Sequence, residues 1–290
     1  MSGSTGTATP VSPTRARERR VSDRPSRKTS LDNRKLITKL SWQLLAIAGV
    51  LLVWHLIAAS SLLPGDGLPA PFEVATAMTT LWGTSTYWMA ILTTVRVWAI
   101  GLAICAVFGI PLGLLIGMSL NATRSTRWVI DFFRTIPTIA LLPLVLLLFG
   151  PTIKMSITMI VMSALWPLLI QSMVAVKQVE PLHKWVVQVF RISRMDRVRF
   201  LWIPSVTLLV STGMRLAATI ALLMTVGAEY IGGAPGLGKE LMSMEQAFRR
   251  PEVFAYAITA GAIGLAINML IVFGQRRMLW WHPITRGERA

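Results

Sequence analysis

WMAILTTVRVWAIGLAICAVFGIPLGLLIGM, residues 88–118, holds a single charged residue, Arg96. It is longer than the run of about 20 apolar residues that carries a helix across a bilayer core of about 30 Å. A stretch of this kind decides the class of the molecule, and the sequence on either side repeats it. Residues 41–63 (SWQLLAIAGVLLVWHLIAASSLL), 155–176, 205–231 and 254–275 read the same way, and 129–149 (VIDFFRTIPTIALLPLVLLLF) joins them with Asp131, Arg134 and Pro137 interrupting its first half. The expectation is an all-α integral membrane protein with six transmembrane helices.

Composition agrees. Of 290 residues 53% are hydrophobic and 14% charged, with a mean hydropathy of +0.59, a balance found in membrane chains rather than soluble domains. The net charge of +16 would suggest nucleic acid in a soluble domain. Here it follows topology, because loops retained in the cytoplasm are enriched in Lys and Arg. No Lys or Arg occurs between Lys39 and Arg96, so the loop around GDGLPAPFE is expected outside; the N-terminal segment and the connections at 119–128, 177–204 and 276–290 are basic. Every second connection is basic, which fits six spans with both termini cytoplasmic, and no soluble domain is left over to bind nucleic acid.

Residues 1–40, rich in Ser, Thr, Pro and Arg, read as a disordered basic cytoplasmic tail. The charged region is too long for a secretory signal; an organellar transit peptide has a similar composition. Cys105 stands alone inside an apolar run and reads as a small buried residue. His55, His183 and His282 lack ligand spacing, so no metal site is expected.

The longest basic connection has a pattern of its own. In EPLHKWVVQVF, Leu182, Trp185, Val186, Val189 and Phe190 recur at helical spacing and predict an amphipathic helix. The arginines follow in FRISRMDRVRFLWIP, residues 190–204, where Ser193 and Asp196 have capping-box spacing and Pro204 suits the first turn of the next span. Two short helices, apolar on one side and basic on the other, fit a docking knob for a partner protein. They fit an interfacial helix on anionic lipid equally well.

The order of motifs resembles a family. LPAP at 68–71, FGIPLGLLIG at 108–117, FFRTIPTIALLPLVLLLFG at 132–150, the loop ending in WIP, TGMRLA at 212–217 and AEYIGGAPGLGKELM at 228–242 look like the permease subunits of bacterial binding-protein-dependent ABC importers, nitrate, sulfonate and taurine type. The resemblance runs from about residue 40 to about 280 and implies a type I importer fold. A first helix at 41–63 and an external loop with a short helix at 64–87 would precede a five-helix core at 88–275, with a C-terminal tail at 276–290. It implies a second permease chain, two ATPase subunits and an external substrate-binding protein as partners beside the lipid bilayer, with no nucleic acid. It also implies that ATP and magnesium belong to the ATPase, that this chain holds no cofactor and no catalytic site, and that the solute is small and anionic.

In that family the cytoplasmic loop carries Glu-Ala-Ala and a Gly. Counting back from Pro204, those positions hold Trp185, Val186, Val187 and Arg191 here, and only Ser193 and the Ile203-Pro204 end stay in register. A Gly permits a positive φ that Arg adopts only with strain. The resemblance therefore implies an ATPase-coupling loop at 177–204 built on Leu182, Trp185, Val186, Val189, Phe190, Arg191, Ser193, Arg194, Arg197 and Pro204, with Trp185 as an aromatic anchor where the family has an ionic one, or a chain that is the weaker half of a heterodimeric pair.

GAPGLGKE at 233–240 nearly matches a phosphate loop, but Glu240 stands where a hydroxyl would hold magnesium, and a membrane helix rather than a strand precedes it. The family makes an external re-entrant turn there, with Gly233, Gly236 and Gly238 as turn residues. Arg96 and Arg215 lie inside apolar spans, where a charge costs about 2.5–3.5 kcal/mol. With Pro137, Pro143 and Glu229 they are the candidates for a translocation path, and snorkelling or pairing to a carbonyl is the plainer reading of the two arginines. Gly109, Gly113 and Gly117 are spaced for close helix packing. An ion-gradient-driven secondary transporter is the alternative, and would need coupling carboxylates within the spans, for which Asp131 and Glu229 are the candidates.

Overall fold

The computed structural model describes residues 28–60, 68–179, 189–190, 193–197 and 201–279. Among these every regular element is helical. The helices are α1 (Lys28–Ala59), α2 (Pro71–Trp82), α3 (Ser85–Met118), α4 (Leu120–Thr135), a 3₁₀ turn at Thr138–Leu141, α5 (Leu142–Phe149), α6 (Ile153–Lys177), α7 (Arg194–Arg197), α8 (Ile203–Gly232), α9 (Leu237–Gln246) and α10 (Arg250–Met278).

The described residues up to Val53, the greater part of α1, belong to one unit and those from Trp54 onward to a second. α1 starts at Lys28, inside the stretch expected to be disordered. The correction has a simple cause. Once the apolar segment is helical, each further residue adds one hydrogen bond at little cost, and KTSLDNRKLITKL contains neither Gly nor Pro to stop it.

In the second unit, α3, α6 and α8 pack together around Val97, Cys105, Ile160, Ala164, Leu168, Ala217 and Ala221. Small residues allow the approach. A Cβ added at Gly113 would lie 2.5 Å from the Leu169 carbonyl oxygen, and one at Gly117 2.7 Å from that of Met173. The facing stripe of α8 is likewise small, with Gly213, Ala217, Ala221, Thr225 and Ala228 all buried. Without water to drive apolar association inside a bilayer, this close backbone packing and a few interhelical hydrogen bonds hold helices together. Trp98 Nε1 donates to the Ala218 carbonyl at 3.0 Å, the Tyr87 and Thr259 hydroxyls share a bond of 2.7 Å, and Arg215 Nε donates to Asn268 Oδ1 at 2.9 Å.

A second core joins α2, α3, α9 and α10 through Val74, Tyr87, Leu237, Ala255 and Tyr256. The LPAP stretch feeds it. Pro71 opens α2, and the Ala70 backbone N–H is met by Glu73 Oε2 at 3.0 Å. Elsewhere apolar side chains face outward along whole helices, among them Val107 and Leu115 on α3 and Leu270 and Phe273 on α10, as lipid contact requires.

Five helices are long and apolar enough to cross a membrane; the expected third span is instead a pair, α4 and the 138–149 segment, bent by 73°. Pro137 explains the break. It cannot donate to the ladder, and it drives Ile136 before it to an extended conformation, φ −69° and ψ 122°. The expected loop at 119–128 is consequently the first part of α4, capped by Ser119 Oγ, which accepts from the Ala122 N–H at 3.3 Å.

Candidate functional site

Two polar arrangements stand out in the Trp54–Ala290 unit. The first is a knot at the C-terminal end of α8. Glu229 is fully buried and its carboxylate accepts the Thr94 hydroxyl of α3 at 2.8 Å and the Gly238 backbone N–H of α9 at 3.0 Å. Thr94 Oγ1 in turn accepts the Leu237 N–H at 2.8 Å. The carboxylate and the Thr94 hydroxyl thus each take up one free N–H group at the positive end of α9. Gly233 (φ 69°) and Gly236 (φ 151°) turn the chain between the two helices. A Cβ on Gly236 would overlap the Glu229 carboxyl group, and one on Gly238 would lie 2.6 Å from the Tyr230 backbone nitrogen. The near-phosphate-loop is therefore filled by the chain's own glutamate, with no space left for a phosphate.

The second is a cavity of about 680 Å³ between the end of α4, the 3₁₀ turn, α6 and α8. Its α6 wall is Ser163, Trp166, Pro167, Ile170 and Gln171, one helical face, and its α8 wall runs Leu216, Ile220, Leu223 and Met224. Phe133 stacks on Trp166 with ring centroids 5.3 Å apart and planes 7° from parallel. Arg134 is the one charged residue among the described residues that line it. Its Nε lies 3.2 Å from Asp131 Oδ1, which leaves the other guanidinium donors for a ligand. Ser163 Oγ donates back to the Met159 carbonyl at 2.9 Å, so it offers lone pairs to the cavity. Pro167 has no N–H for the carbonyl of Ser163 one turn earlier. The cavity thus combines an aromatic plate, a guanidinium, a hydroxyl and an amide with apolar walls, a set that fits a small solute with an anionic head.

None of the five residues expected on a translocation path lines this cavity. Arg96 is exposed on α3, Arg215 pairs with Asn268, Pro143 sits in the first turn of α5 and Glu229 belongs to the knot. Pro137 immediately precedes Thr138, which does line the cavity. The carboxylates that a gradient-driven transporter would use are both engaged, Asp131 by Arg127 and Arg134 and Glu229 by Thr94 and Gly238. Of the coupling-loop residues, Leu182, Trp185, Val186 and Arg191 lie outside the described residues, as do the side chains of Arg194 and Arg197. Val189 and Phe190 are exposed. Ser193 Oγ accepts the Asp196 N–H at 3.2 Å, the serine half of the cap that their spacing suggests, and donates to Asp196 Oδ2 at 2.7 Å, and Pro204 opens α8. Gly233, Gly236 and Gly238 shape the turn before α9.

Sequence reasoning missed Ser163, Trp166 and Gln171, although their recurrence with Pro167 on one helical face was a usable signal in an apolar span.

Residues 109–278 match the family described as binding-protein-dependent transport system inner membrane component. A nitrate import permease protein NrtB of Leptolyngbya laminosa is 29% identical over 62% of this chain and 65% of its own length. The bicarbonate transport system permease protein CmpB of Synechococcus elongatus is 27% identical over 91% of this chain and 98% of its own. The taurine transport system permease protein TauC of Escherichia coli is 25% identical over 81% and 88%. Among solved structures, the MetNI methionine ABC transporter in inward-facing conformations superposes with a TM-score of 0.54 at 16% identity, over 66% of this chain and 95% of that one. A bacterial alginate ABC transporter, in complex with an alginate pentasaccharide-bound periplasmic protein, gives 0.51 at 16% identity over 85% and 96%.

Proposed function

This chain belongs to the family of binding-protein-dependent transport system inner membrane components, and we propose that the Arg134 cavity is part of the path by which it carries a small anionic solute inward. The observation that carries this reading is one guanidinium beside a stacked aromatic wall in a half-open, largely apolar cavity. Arg134 is half exposed and already paired with Asp131 through Nε, so its remaining donors are available to a passing anion. Nitrate, bicarbonate and taurine, named for the relatives, all carry the oxyanion that a guanidinium binds.

As a multi-pass permease the chain needs an energy source outside itself. In this proposal two ATPase subunits hydrolyse ATP with magnesium, a second permease chain completes the pathway, and an external binding protein delivers the solute. In this reading both termini and the loop at 177–204 lie in the cytoplasm, supported by their content of Lys and Arg, and alternation of the spans puts the α9 turn outside. The core spans 88–275, with residues 1–27 as a basic tail. Trp185 and Phe190 anchor the loop in the ATPase, and rocking of the permease pair exposes the cavity alternately to each side.

The test uses the complex reconstituted in vesicles with its ATPase and binding protein. Arg134→Gln is expected to lower uptake of the solute at least tenfold, with Arg134→Lys partly restoring it. Unchanged uptake in both variants would remove the cavity from the path. The mass of the gently solubilised complex separates two copies of this chain from one copy beside a different permease.

A further inference from the structure

Beside the transport cavity lies a second one, a cleft of about 290 Å³ between α4 and α6. Thr123, Arg127, Ile130, Asp131 and Arg134 face it from α4, and Ile170, Met173, Val174 and Lys177 from α6. The two stripes have helical spacing, so the cleft is a seam between two regular elements. Its charges are Arg127, Arg134 and Lys177 against Asp131, an excess of cations. Asp131 sits between the two arginines, 3.6 Å from Arg127 Nε and 3.2 Å from Arg134 Nε, which orients both guanidinium groups and leaves their terminal nitrogens unspent.

The surroundings of the cleft say what kind of anion it takes. On the rest of α4, Leu120, Trp128 and Phe132 are 71%, 85% and 63% exposed. A helix with large exposed apolar side chains in a stripe beside its arginines, and a 73° bend from the segment that follows, has the make-up of a helix at a membrane interface. The floor of the cleft is apolar, through Ile130 and Met173. Its volume is that of roughly ten waters, more than a bare phosphate fills. We propose that this cleft binds the phosphate headgroup of an anionic phospholipid, with Arg127 and Lys177 as the principal ligands and the apolar floor at Ile130 and Met173 under the start of its acyl chains. Arg134 and Ile170 line both this cleft and the transport cavity, so an occupied cleft changes the field that a solute meets at Arg134. This proposal requires that the chain sits in a bilayer with α4 at its surface; it does not require the transport reading, and lipid retention and uptake can fail separately.

The experiment exposes the detergent-purified complex to mixed phosphatidylglycerol and phosphatidylcholine vesicles and measures retained lipid by native mass. The intact protein is expected to keep phosphatidylglycerol in preference. Arg127→Gln combined with Lys177→Gln is expected to reduce that preference on the order of tenfold or more, since each cation near anionic lipid contributes comparably. Arg124→Gln, on the same helix but outside the cleft, should leave it as it is. Undiminished retention in the double variant would overturn the proposal. So would an equal loss in Arg124→Gln, which would mean general surface charge, or displacement of the lipid by millimolar inorganic phosphate, which would mean a site for a soluble anion.

Discussion

The Glu229 knot and the Arg134 cavity are both polar insertions in an apolar bundle, and they differ in what is left over. At Glu229 each charge and hydroxyl is used within the chain. Thr94 serves two partners at once, and the glycines leave no space beside the carboxylate. At Arg134 donors and acceptors face an open volume of about 680 Å³. A buried polar group without a partner is expensive, and one that is fully met holds its neighbours in one arrangement. The first region is therefore a fastening for α9, and the second has capacity for something that arrives from outside.

That contrast can be broken by substitution. The largest effect is expected at Gly236→Ala, where the new methyl group meets the Glu229 carboxyl and the backbone must keep φ 151°. Overpacking and the strained backbone together destabilise on the order of 3 kcal/mol, read as loss of a monodisperse species in detergent. Normal folding of that variant would mean the knot is loose. Next comes Thr94→Val, similar in shape but unable to meet Glu229 or the Leu237 N–H, at about 2 kcal/mol; a thermal melt of the complex checks it, and uptake should fall only as far as folded protein is lost. The smallest change in stability is expected at Ser163→Ala, within about 0.5 kcal/mol, while uptake falls severalfold because the cavity loses an acceptor. If Ser163→Ala instead lowered the melting temperature as Thr94→Val does, the two regions would not differ in kind.

Much of this architecture was legible along the chain. Runs such as 88–118 announce themselves because a helix that crosses a bilayer core must be long and apolar, and Gly109, Gly113 and Gly117 announced a packing face that α6 fills. The Ser193–Asp196 cap was legible too, since both partners lie within one turn. The cavity was not. Arg134 appeared only as an interruption of a span, and its partners across the cavity, Trp166 and Gln171, come from another helix. Arg96 and Arg215 drew attention because charge in an apolar run is conspicuous, yet which face of a helix looks inward depends on neighbours that a single run does not reveal.

The sequence by itself determined the membrane class, five of the long apolar helices, the loop charges and the interruption at Pro137, because hydropathy, charge and proline geometry act locally. Only the tertiary structure decided that Glu229 closes the glycine turn on itself, and that Arg134 stands between an aromatic-walled cavity and a basic cleft. Both outcomes join residues from separate helices, Thr94 with Glu229 and Gly238, and Phe133 with Trp166. Contacts of that kind are set by close packing of small residues, which fixes the rotation of each helix about its own axis.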